Sequence, residues 1–406
     1  MYCYKNNNPT TLYYTILNKL SNCGDELAPR GRKIKELRPV SVEFANPYRR
    51  VSFLPTRRIN PFFQMAESWA IVTGVNDAQW LSNFNKNMLS FSDDGKTFNA
   101  FYGERICAWG NNVSKDLIYP EALNQLEDAY KKFLVDKDTR QATVAIGNPT
   151  FDNYEYTVEN KGLDIACNLY ITFKIRNNKL HTTVFNRSND CHWGLFGANL
   201  AQFTTIAEVL CSWLRNSGKE EFENLTLGTY CQLTDSLHIY TEDYGSKITS
   251  EVLDYYKDND FIEPVLNFEA DKVIRMDSSL EEFNKLKEYY WNVLDKEVIN
   301  PEKSCAKVVT DINENVKDPY WNFVFKSMLI YRLVKKERLS EALNLMMTEI
   351  PDCEWKISML YFLKNFVKKN SVSSNEELYE IITEFLVERI EDSGTKQYMK
   401  EYLRNV

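Results

Sequence analysis

The sequence predicts an α+β fold for residues 1–270 and an all-α region over residues 275–406. In the first part, short runs rich in β-branched and aromatic residues are interspersed with helical patterns, which is typical of a mixed domain. From Ser278 onward, apolar residues recur almost throughout at the spacing of a helix. A chain of 406 residues has room for roughly two to three domains of about 150 residues each, so we place a boundary near residue 270.

Four runs in the first part have the composition of strands. They are VSVEF at 40–44, TVAIG at 143–147, LYITFKI at 169–175 and KLHTTVFN at 179–186. Apolar and polar residues nearly alternate in the last two runs, which flank the compact polar turn Arg176–Asn178. This arrangement predicts a β-hairpin.

Helical spacing predicts three helices in the same part of the chain. They cover residues 60–75, 120–134 and 199–215. Five helical segments follow in the C-terminal region, at residues 279–294, 320–336, 339–347, 355–369 and 375–390. Short polar links such as residues 336–338 and 371–374 separate them, which is typical of antiparallel helix packing. We expect their aromatic and aliphatic residues to form a core rather than a cofactor site.

Composition argues against several classes of protein. Forty-nine Lys and Arg against 57 Asp and Glu give a net charge of −8, which disfavours a general binder of nucleic acid or anionic membranes. The chain starts without a basic segment followed by a long apolar run, and no stretch reaches the roughly 18 apolar residues that span a bilayer. We therefore expect a soluble protein that is not exported.

The cysteines and histidines argue against cross-links and metal centres. Nine cysteines are scattered along the chain without a CxxC pair, so neither a disulfide framework nor a zinc ribbon fits. The chain has three histidines, so a His-rich metal site is not expected either.

The densest group of polar and reactive residues lies within residues 163–210. It contains Cys167 where a predicted strand begins, the hairpin, the polar run Asn186–Asp190, a glycine-bearing turn, and Asn199 at the start of a helix. This stretch resembles the thymidylate synthase superfamily, which includes the deoxypyrimidine monophosphate hydroxymethylases found mainly in bacteriophages. Four other segments agree with the family in order and approximate spacing: Glu67–Trp69 followed by Gly74, Phe101–Gly103, Asp138–Gln141 and Leu237–Tyr240.

The resemblance, which covers residues 30–245, implies a fold and an activity. The fold would be a thymidylate synthase-like mixed sheet with surrounding helices in a catalytic domain over residues 1–270, with residues 275–406 as a C-terminal all-α appendage of unknown role. The activity would be folate-dependent transfer of one carbon to C5 of a pyrimidine nucleoside monophosphate, with 5,10-methylenetetrahydrofolate as the donor. The family also implies a homodimer in the cytoplasm, which is the host cytoplasm if a phage encodes the chain.

Such a reaction needs covalent catalysis, because C5 of a pyrimidine is a poor nucleophile until a thiolate adds at C6 and converts the ring into an enolate. The candidate nucleophile is Cys167. A free thiol has a pKa of about 8.5, so cations must help it to ionise near neutrality. The alternative is that Cys167 is an inert buried thiol.

Guanidinium groups and hydroxyls hold a 5′-phosphate well, because several charge-assisted hydrogen bonds both fix and neutralise it. The family's phosphate-binding Arg-Ser pair matches Arg187 and Ser188, and its arginine from the partner subunit matches Arg140. The family has two adjacent arginines there, whereas this chain has Gln141 at the second position. A replacement could come from the N-terminal arginines, and the sequence does not choose among them: Arg30, Arg49, Arg50, Arg57 and Arg58.

The resemblance also assigns residues to the base and the sugar. Asn199 matches the amide that reads the base, and an amide suits the N3–H and O4 edge of uracil, whereas a carboxylate would suit cytosine. The segment before it carries one residue more than the family pattern, and another placement of that residue would put Ala198 there. His238 and Tyr240 match the pair that binds the sugar hydroxyl, two apart on one face of an extended segment. A packed core pair is the alternative for them.

Three further residues match catalytic or cofactor positions. Glu67, in an otherwise apolar helix, matches the glutamate that handles protons at the base carbonyl through ordered water. Tyr102 matches the tyrosine near the attacked ring, and Asp190 matches the aspartate that contacts the folate pterin. A polar helix face is the alternative for Glu67.

Three departures from the family bear on the reaction. Asn168 follows the nucleophile where thymidylate synthases have histidine, and Met88 or Leu89 stands where a tryptophan lines the folate. The family's short C-terminal tail, which closes over the cofactor, is replaced by the helical region. A less enclosed folate tolerates water better, and water is what a hydroxymethyl product requires, so the sequence favours hydroxymethylation over methylation.

Two alternatives from other classes remain open at the level of sequence. One is a non-catalytic nucleotide-binding or assembly protein, which the departures at Asn168 and Gln141 motivate. The other is an unrelated α+β enzyme that uses Cys167 with His192 or His238.

Overall fold

The computed structural model describes residues 1–52, 59–110, 122–149, 151–152, 164–257, 273–302 and 304–369. Within these ranges the strands are β1 (Tyr2–Asn6), β2 (Asp25–Leu27), β3 (Ile34–Leu37), β4 (Val40–Phe44), β5 (Thr143–Ala145), β6 (Asn168–Arg176), β7 (Lys179–Asn186), β8 (Asn189–Asp190), β9 (Thr226–Thr234) and β10 (Leu237–Tyr240). The α-helices are α1 (Pro9–Cys23), α2 (Pro61–Thr73), α3 (Ala78–Ser82), α4 (Tyr102–Cys107), α5 (Gln125–Val135), α6 (Leu200–Arg215), α7 (Asp243–Lys257), α8 (Leu280–Tyr289), α9 (Asp295–Ile299), α10 (Cys305–Asn315), α11 (Pro319–Lys335), α12 (Leu339–Glu349) and α13 (Glu354–Lys369).

The described strands form two mixed sheets. The larger has the order β1-β4-β9-β7-β6-β5, and β1 with β4 and β7 with β9 are its parallel pairs. The smaller has the order β2-β3-β10-β8, in which β8 and β10 run parallel. Helices surround these sheets and continue through the C-terminal region, so the predicted α+β fold with a mixed sheet and added C-terminal helices is confirmed.

The predicted hairpin is formed by β6 and β7, which pair antiparallel with Arg176 opposite Lys179. Asn177 and Asn178 make the turn with φ of 52° and 55°, a left-handed conformation that asparagine tolerates better than most residues. At the other end the register shifts between Asn168 and Tyr170, which is a bulge beside the residue after Cys167. The hairpin therefore brings the start of β6 and the end of β7 to one edge of the sheet.

Two of the predicted helix starts need correction. The helix predicted from residue 120 begins at Gln125, because the side chain of Asn124 caps it by accepting the N–H groups of Leu126 and Glu127. The turn predicted before Asn199 is itself helical, since Cys191–Asn199 is wound as a π-helix that leads directly into α6.

The C-terminal helices pack on the rest of the molecule through aromatic residues. Trp69 of α2 contacts Trp321 and Phe325 of α11 with ring centroids 4.7 and 4.9 Å apart, and Tyr290 at 5.1 Å. These rings belong to an apolar core that is continuous across residue 270. Their role in packing confirms the expected core, while the domain boundary stays a prediction.

The individual C-terminal segments agree with the sequence pattern with three exceptions. Helices α9 and α10 were not predicted, and the segment predicted at residues 375–390 lies outside the described residues. Across the described ranges, no helix combines the length and apolar character that crossing a bilayer requires.

Candidate functional site

Cys167 and Arg187 lie together because the hairpin joins the segments that carry them. The backbone N–H of Arg187 donates to the carbonyl of Cys167 at 3.0 Å, and its Nη2 lies 3.6 Å from the Cys167 Sγ. The guanidinium is held in place by the carbonyls of Ala166 and Ile165, which accept from Nε at 2.8 Å and from Nη2 at 3.1 Å. A fixed positive charge therefore faces a half-buried thiol.

Two opposing effects act on the thiol. Burial raises the pKa of Cys167, and the nearby Arg187 guanidinium lowers it. Asp164 raises this pKa further, whereas Arg30 acts in the same direction as Arg187. The site thus holds a thiol whose ionisation depends on the cations around it.

Asn168 lies at the centre of a buried amide network. Its Nδ2 donates to the Tyr102 hydroxyl at 2.8 Å and to Asn199 Oδ1 at 3.4 Å. Its Oδ1 accepts from Asn186 Nδ2 and from Gln232 Nε2, the latter at 3.2 Å. Because Asn168 both donates and accepts, it fixes the orientation of its neighbours directly beside Cys167.

The π-helix places Asn199 in the buried amide network. Asn199 is buried and donates from Nδ2 to Asn189 Oδ1 at 3.2 Å, whereas Ala198 is not part of this network. A π-helix accommodates an additional residue in a helical turn. This accounts for the one residue by which this segment exceeds the family pattern. A Cβ on Gly194 would lie 2.0 Å from Asn189 Oδ1, so this close approach requires glycine.

Glu67 lies on α2, and its carboxylate accepts from Gln202 Nε2 at 2.6 Å. Burial raises the pKa of Glu67 to about 7, and the hydrogen bond from Gln202 opposes the rise. Gln202 Oε1 is buried and has no partner within the described residues. The Glu67 carboxyl can thus take up or release a proton near neutral pH, while Gln202 orients it.

Tyr102 stands at the start of α4 with its hydroxyl facing the start of β6. Burial raises the pKa of Tyr102, and the negative charge of a Cys167 thiolate would raise it further. The phenol therefore remains protonated and can donate to a substrate while Asn168 donates to it.

The smaller sheet brings Asp190 and His238 side by side, since they are partners in the β8–β10 pair. Asp190 Oδ1 accepts the backbone N–H groups of His192 at 2.6 Å and Trp193 at 3.1 Å. Burial lowers the pKa of His238, whose Nδ1 has no hydrogen-bond partner among the described residues. Tyr240 contacts His238 edge to face at 5.4 Å between ring centroids.

Ser188 and Arg140 differ in their placement. Ser188 is half-buried between Arg187 and β8. Arg140 is exposed before β5, and in the described part of the chain no hydrogen bond or ion pair connects it to the other candidate residues. The predicted site residues other than Arg140 therefore lie on strands and helices or in the segments directly beside them.

Of the N-terminal arginines that could bind the phosphate, Arg49 and Arg50 are engaged in ion pairs, whereas Arg30 is exposed. Arg50 forms a buried ion pair with Glu208, and Arg49 Nε lies 2.7 Å from Glu354 of α13. Arg57 and Arg58 lie outside the described residues. Arg30 is exposed and close enough to lower the pKa values of both Cys167 and His238, although burial and other groups dominate each.

The hydrogen bonds of His192 argue against an enzyme in which it acts as the catalytic partner of Cys167. His192 Nδ1 is bonded to the Tyr13 hydroxyl at 2.5 Å and Nε2 to Thr249 Oγ1 at 2.9 Å, so both ring nitrogens are engaged elsewhere. Sequence reasoning missed three members of the amide network, Asn186, Asn189 and Gln232. It also missed Gln202, the hydrogen-bond partner of Glu67.

A family model described as thymidylate synthase matches residues 11–292. The chain is 42% identical over 373 residues to the deoxyuridylate hydroxymethyltransferase of Bacillus phage SP01, which covers 89% of this chain and 94% of that protein. A protein of the same name from Pseudomonas phage M6 is 32% identical over 205 residues, covering 50% of this chain and 51% of that protein. A putative thymidylate synthase of Methanocaldococcus jannaschii is 24% identical over 262 residues, covering 63% and 99%. As its motifs predicted, the chain belongs to the thymidylate synthase family.

Proposed function

We propose that this chain hydroxymethylates dUMP at C5 with 5,10-methylenetetrahydrofolate as the one-carbon donor. The observation that carries the proposal is the Cys167 thiol beside the fixed Arg187 guanidinium, 3.6 Å apart, at the edge of the buried amide network. The names of the phage relatives support deoxyuridylate as the substrate and hydroxymethyl transfer as the reaction.

Cys167 would add to C6 of the base, and the phosphate would lie against Arg187 and Ser188. The Nη1 of Arg187 has no hydrogen bond within the described residues, so it is available to a phosphate oxygen. Arg30 would supply a second cation, and Arg140 would reach the site from the partner of a homodimer. A binding site of this kind collects several charge-assisted hydrogen bonds on one phosphate.

Asn199 would read the uracil edge. One lone pair of Oδ1 and one N–H of Nδ2 are engaged with Asn168 and Asn189, which leaves one acceptor and one donor. The free acceptor suits the N3–H of uracil and the free donor suits O4. His238 and Tyr240 would contact the sugar, with His238 Nδ1 as the buried group that lacks a partner.

Glu67 would exchange protons with the base carbonyl, because its pKa of about 7 allows it both to hold and to release a proton under working conditions. Tyr102 would position the ring from the side of α4. Asn168 links the Tyr102 hydroxyl to Asn199, so the two contacts to the base are kept in register.

The residues beside this network fit a folate. Asp190 keeps Oδ2 available for a pterin N–H while Oδ1 caps the π-helix, and the indole of Trp193 is 41% exposed. When bound, the folate supplies one carbon at the oxidation level of formaldehyde. Leu89, exposed where the family has an aromatic wall nearby, leaves this region more open to water, which supports a hydroxymethyl product.

Product analysis tests the proposal. The protein is incubated with methylenetetrahydrofolate and either dUMP, dCMP or CMP, and the nucleotides are resolved by mass spectrometry. We expect dUMP to gain the mass of CH₂O without formation of dihydrofolate. A gain of CH₂ together with dihydrofolate would show thymidylate synthesis instead. Conversion by Cys167→Ala would overturn the mechanism.

A non-catalytic nucleotide-binding role is the second candidate, and the enzyme names of the relatives do not favour it. Release of tritium from dUMP labelled at C5 separates the two, because binding alone does not exchange that hydrogen. Nucleotide binding without tritium release would favour the binding protein.

A further inference from the structure

We propose that Asp164 is a further catalytic residue, the general base that takes a proton from the water that adds to the transferred carbon. The inference rests on the proposed function and assigns a residue to its last step, in which that carbon becomes a hydroxymethyl group. The step needs a base of its own, because Glu67 is proposed to act at the uracil carbonyl.

Asp164 lies between the two segments that carry Cys167 and Tyr102. It stands three residues before Cys167, so their Cα atoms are at most about 11 Å apart. Its Oδ2 accepts the backbone N–H of Ala100 at 2.9 Å, and Ala100 stands two residues before Tyr102. The Tyr102 hydroxyl is bonded in turn to Asn168, the residue after Cys167. The carboxyl of Asp164 is therefore held near the thiol and the phenol that are proposed to contact the ring.

The carboxyl of Asp164 is half-buried and has no cation of its own. In the described part of the chain no salt bridge joins it to a lysine or an arginine, because Arg105 is engaged by both oxygens of Asp152 at 2.7 and 2.9 Å. Burial raises the pKa of Asp164, whereas the Ala100 N–H and the more distant charge of Arg105 lower it. The charges of Asp152 and Asp93 raise it further. A carboxylate in this environment is a stronger base than one in an ion pair.

The charge of Asp164 also acts on both neighbouring groups. Burial is the main cause of the raised pKa values of Cys167 and Tyr102, and the charge of Asp164 raises both further. Asp152 is the other carboxyl that acts on Cys167, and it is paired with Arg105. The Oδ1 of Asp164 accepts no hydrogen bond from the described residues, so it is available to a water molecule.

The other groups around the ring are committed elsewhere. Glu67 is buried and accepts from Gln202. The Tyr102 phenol keeps its proton because burial raises its pKa. Asp190 caps the π-helix. Asp164 is thus the group left to act on the water.

The addition of water requires a group of this kind. Once the C5 proton has left, the ring carries an exocyclic methylene at C5 and sulfur at C6. A C–O bond then forms between water and the methylene carbon, one O–H bond of the water breaks, and its proton passes to Asp164. The electron pair of the methylene double bond moves into the ring as an enolate, which restores the C5–C6 double bond and expels the Cys167 thiolate. The proton on Asp164 returns to this thiolate, so both side chains are regenerated.

Asp164→Asn separates this step from the earlier ones. The amide keeps an oxygen for the Ala100 N–H but is not a base near neutral pH. Loss of tritium from dUMP labelled at C5 precedes the addition of water, so in a single turnover the variant should release tritium at the rate of the wild type. Formation of hydroxymethyl-dUMP, followed by quenching and mass spectrometry, should slow on the order of 100-fold.

Added 2-mercaptoethanol gives a second readout. Its thiolate can add to the methylene without losing a proton, so this addition needs no base. We expect Asp164→Asn to form mainly the thioether of dUMP, while the wild type still forms mainly hydroxymethyl-dUMP. Asp254→Asn, which removes the same charge at an exposed position on α7, should behave like the wild type.

Formation of hydroxymethyl-dUMP by Asp164→Asn at the wild-type rate would overturn the inference. An equal loss of tritium release and product would also overturn it, because Asp164 would then act before the addition of water or on the fold. Failure of the proposed function has a different signature, because the wild type itself would then leave dUMP unchanged or form thymidylate.

Discussion

Arg187 lies where it would act on both the proposed nucleophile, Cys167, and the substrate phosphate. Its Nε and Nη2 are fixed by the carbonyls of residues 165 and 166, and Nη2 faces the Cys167 thiol. Loss of the guanidinium removes the strongest effect that opposes burial in setting the pKa of Cys167. The same loss would remove the guanidinium fork proposed to bind the phosphate, which lysine would replace poorly.

We therefore predict that Arg187→Gln raises the pKa of Cys167. Alkylation of Cys167 by iodoacetamide, followed on its own peptide by mass spectrometry, should shift to higher pH and slow at pH 8. The KM for dUMP should rise about tenfold or more. Arg176→Gln, at the opposite end of the same hairpin, is the matched control. An unchanged alkylation profile would refute the electrostatic role of Arg187.

Glu67 illustrates a conflict between stability and function at a single residue. Its pKa rises from 4.5 to about 7 on burial, which corresponds to about 3 kcal/mol. The unfolded chain loses this proton above pH 4.5 while the folded chain keeps it until about pH 7. The free energy of unfolding therefore decreases between these pH values and is lowest above pH 7.

The prediction for Glu67→Gln has two parts. At pH 8 the variant should exceed the wild type in free energy of unfolding by up to about 3 kcal/mol, and at pH 4.5 the two should be similar. Its kcat should fall on the order of 100-fold, because the amide carries no exchangeable acid proton. Urea unfolding at both pH values and steady-state kinetics provide the measurements. Glu223→Gln, at an exposed position, should change neither quantity.

Among the elements, the π-helix Cys191–Asn199 connects Asp190 of the smaller sheet to the amide network around Asn168. Asp190 caps its start, and Asn199 at its end bonds to Asn168 and Asn189. Gly194 permits the close approach of Asn189 midway along the segment. The position of Asn199, the residue proposed to read the base, therefore depends on the whole element.

Gly194→Ala should displace the Asn189 side chain, because the added Cβ would lie 2.0 Å from its Oδ1. We expect a loss of about 1–3 kcal/mol in the free energy of unfolding and a higher KM for dUMP. The double variant Gly194→Ala/Asn189→Ala removes the clash and should recover part of the lost stability. A Gly194→Ala variant with the free energy of unfolding and the KM for dUMP of the wild type would contradict the packing argument.

Local patterns predicted the hairpin and the longer helices that follow it, but not strands such as β1, β3 and β9 or helix α1, and contacts between distant segments were missed. The hairpin and α6 could be predicted from alternation and helical spacing. The π-helix could not, because the glycines of this segment resemble a turn when packing is unknown. Helix α10 was not predicted because it is short and largely polar, and because few of its residues are buried.

The same distinction applies to the site. Cys167 and Arg187 could be recognised from their motif, and the hairpin explains why they meet. Gln232 and Asn186 bond to Asn168 from neighbouring strands, and a contact of that kind leaves no sign in the local sequence. Gln202 could have been found, since it lies one turn after Asn199 on the buried face of α6.

On the scale of the whole molecule, the C-terminal helices support the helix that carries Glu67. Trp69, two residues further on α2, is enclosed by rings from α11 and from residue 290. The Arg49–Glu354 pair adds a polar connection between the N-terminal part and α13. The C-terminal region therefore belongs to the same packed core as the site.

The proposed homodimer can be tested by mixing two inactive variants. Cys167→Ala lacks the nucleophile, and Arg140→Ala lacks the arginine that would act in the partner's site. A mixed dimer contains one site with both residues intact, so equal amounts should recover about a quarter of the wild-type activity after subunit exchange. Mixtures with no recovered activity would place Arg140 within its own subunit's site, and full activity of Arg140→Ala alone would place it outside the reaction.

The most direct measurement of the central claim traps the bond between sulfur and the base. The protein is incubated with 5-fluoro-dUMP and methylenetetrahydrofolate, and its peptides are analysed by mass spectrometry. Fluorine at C5 does not leave as the natural proton does, so an adduct should accumulate on the peptide that contains Cys167. Absence of an adduct, or an adduct on any of the other eight cysteines, would contradict the account.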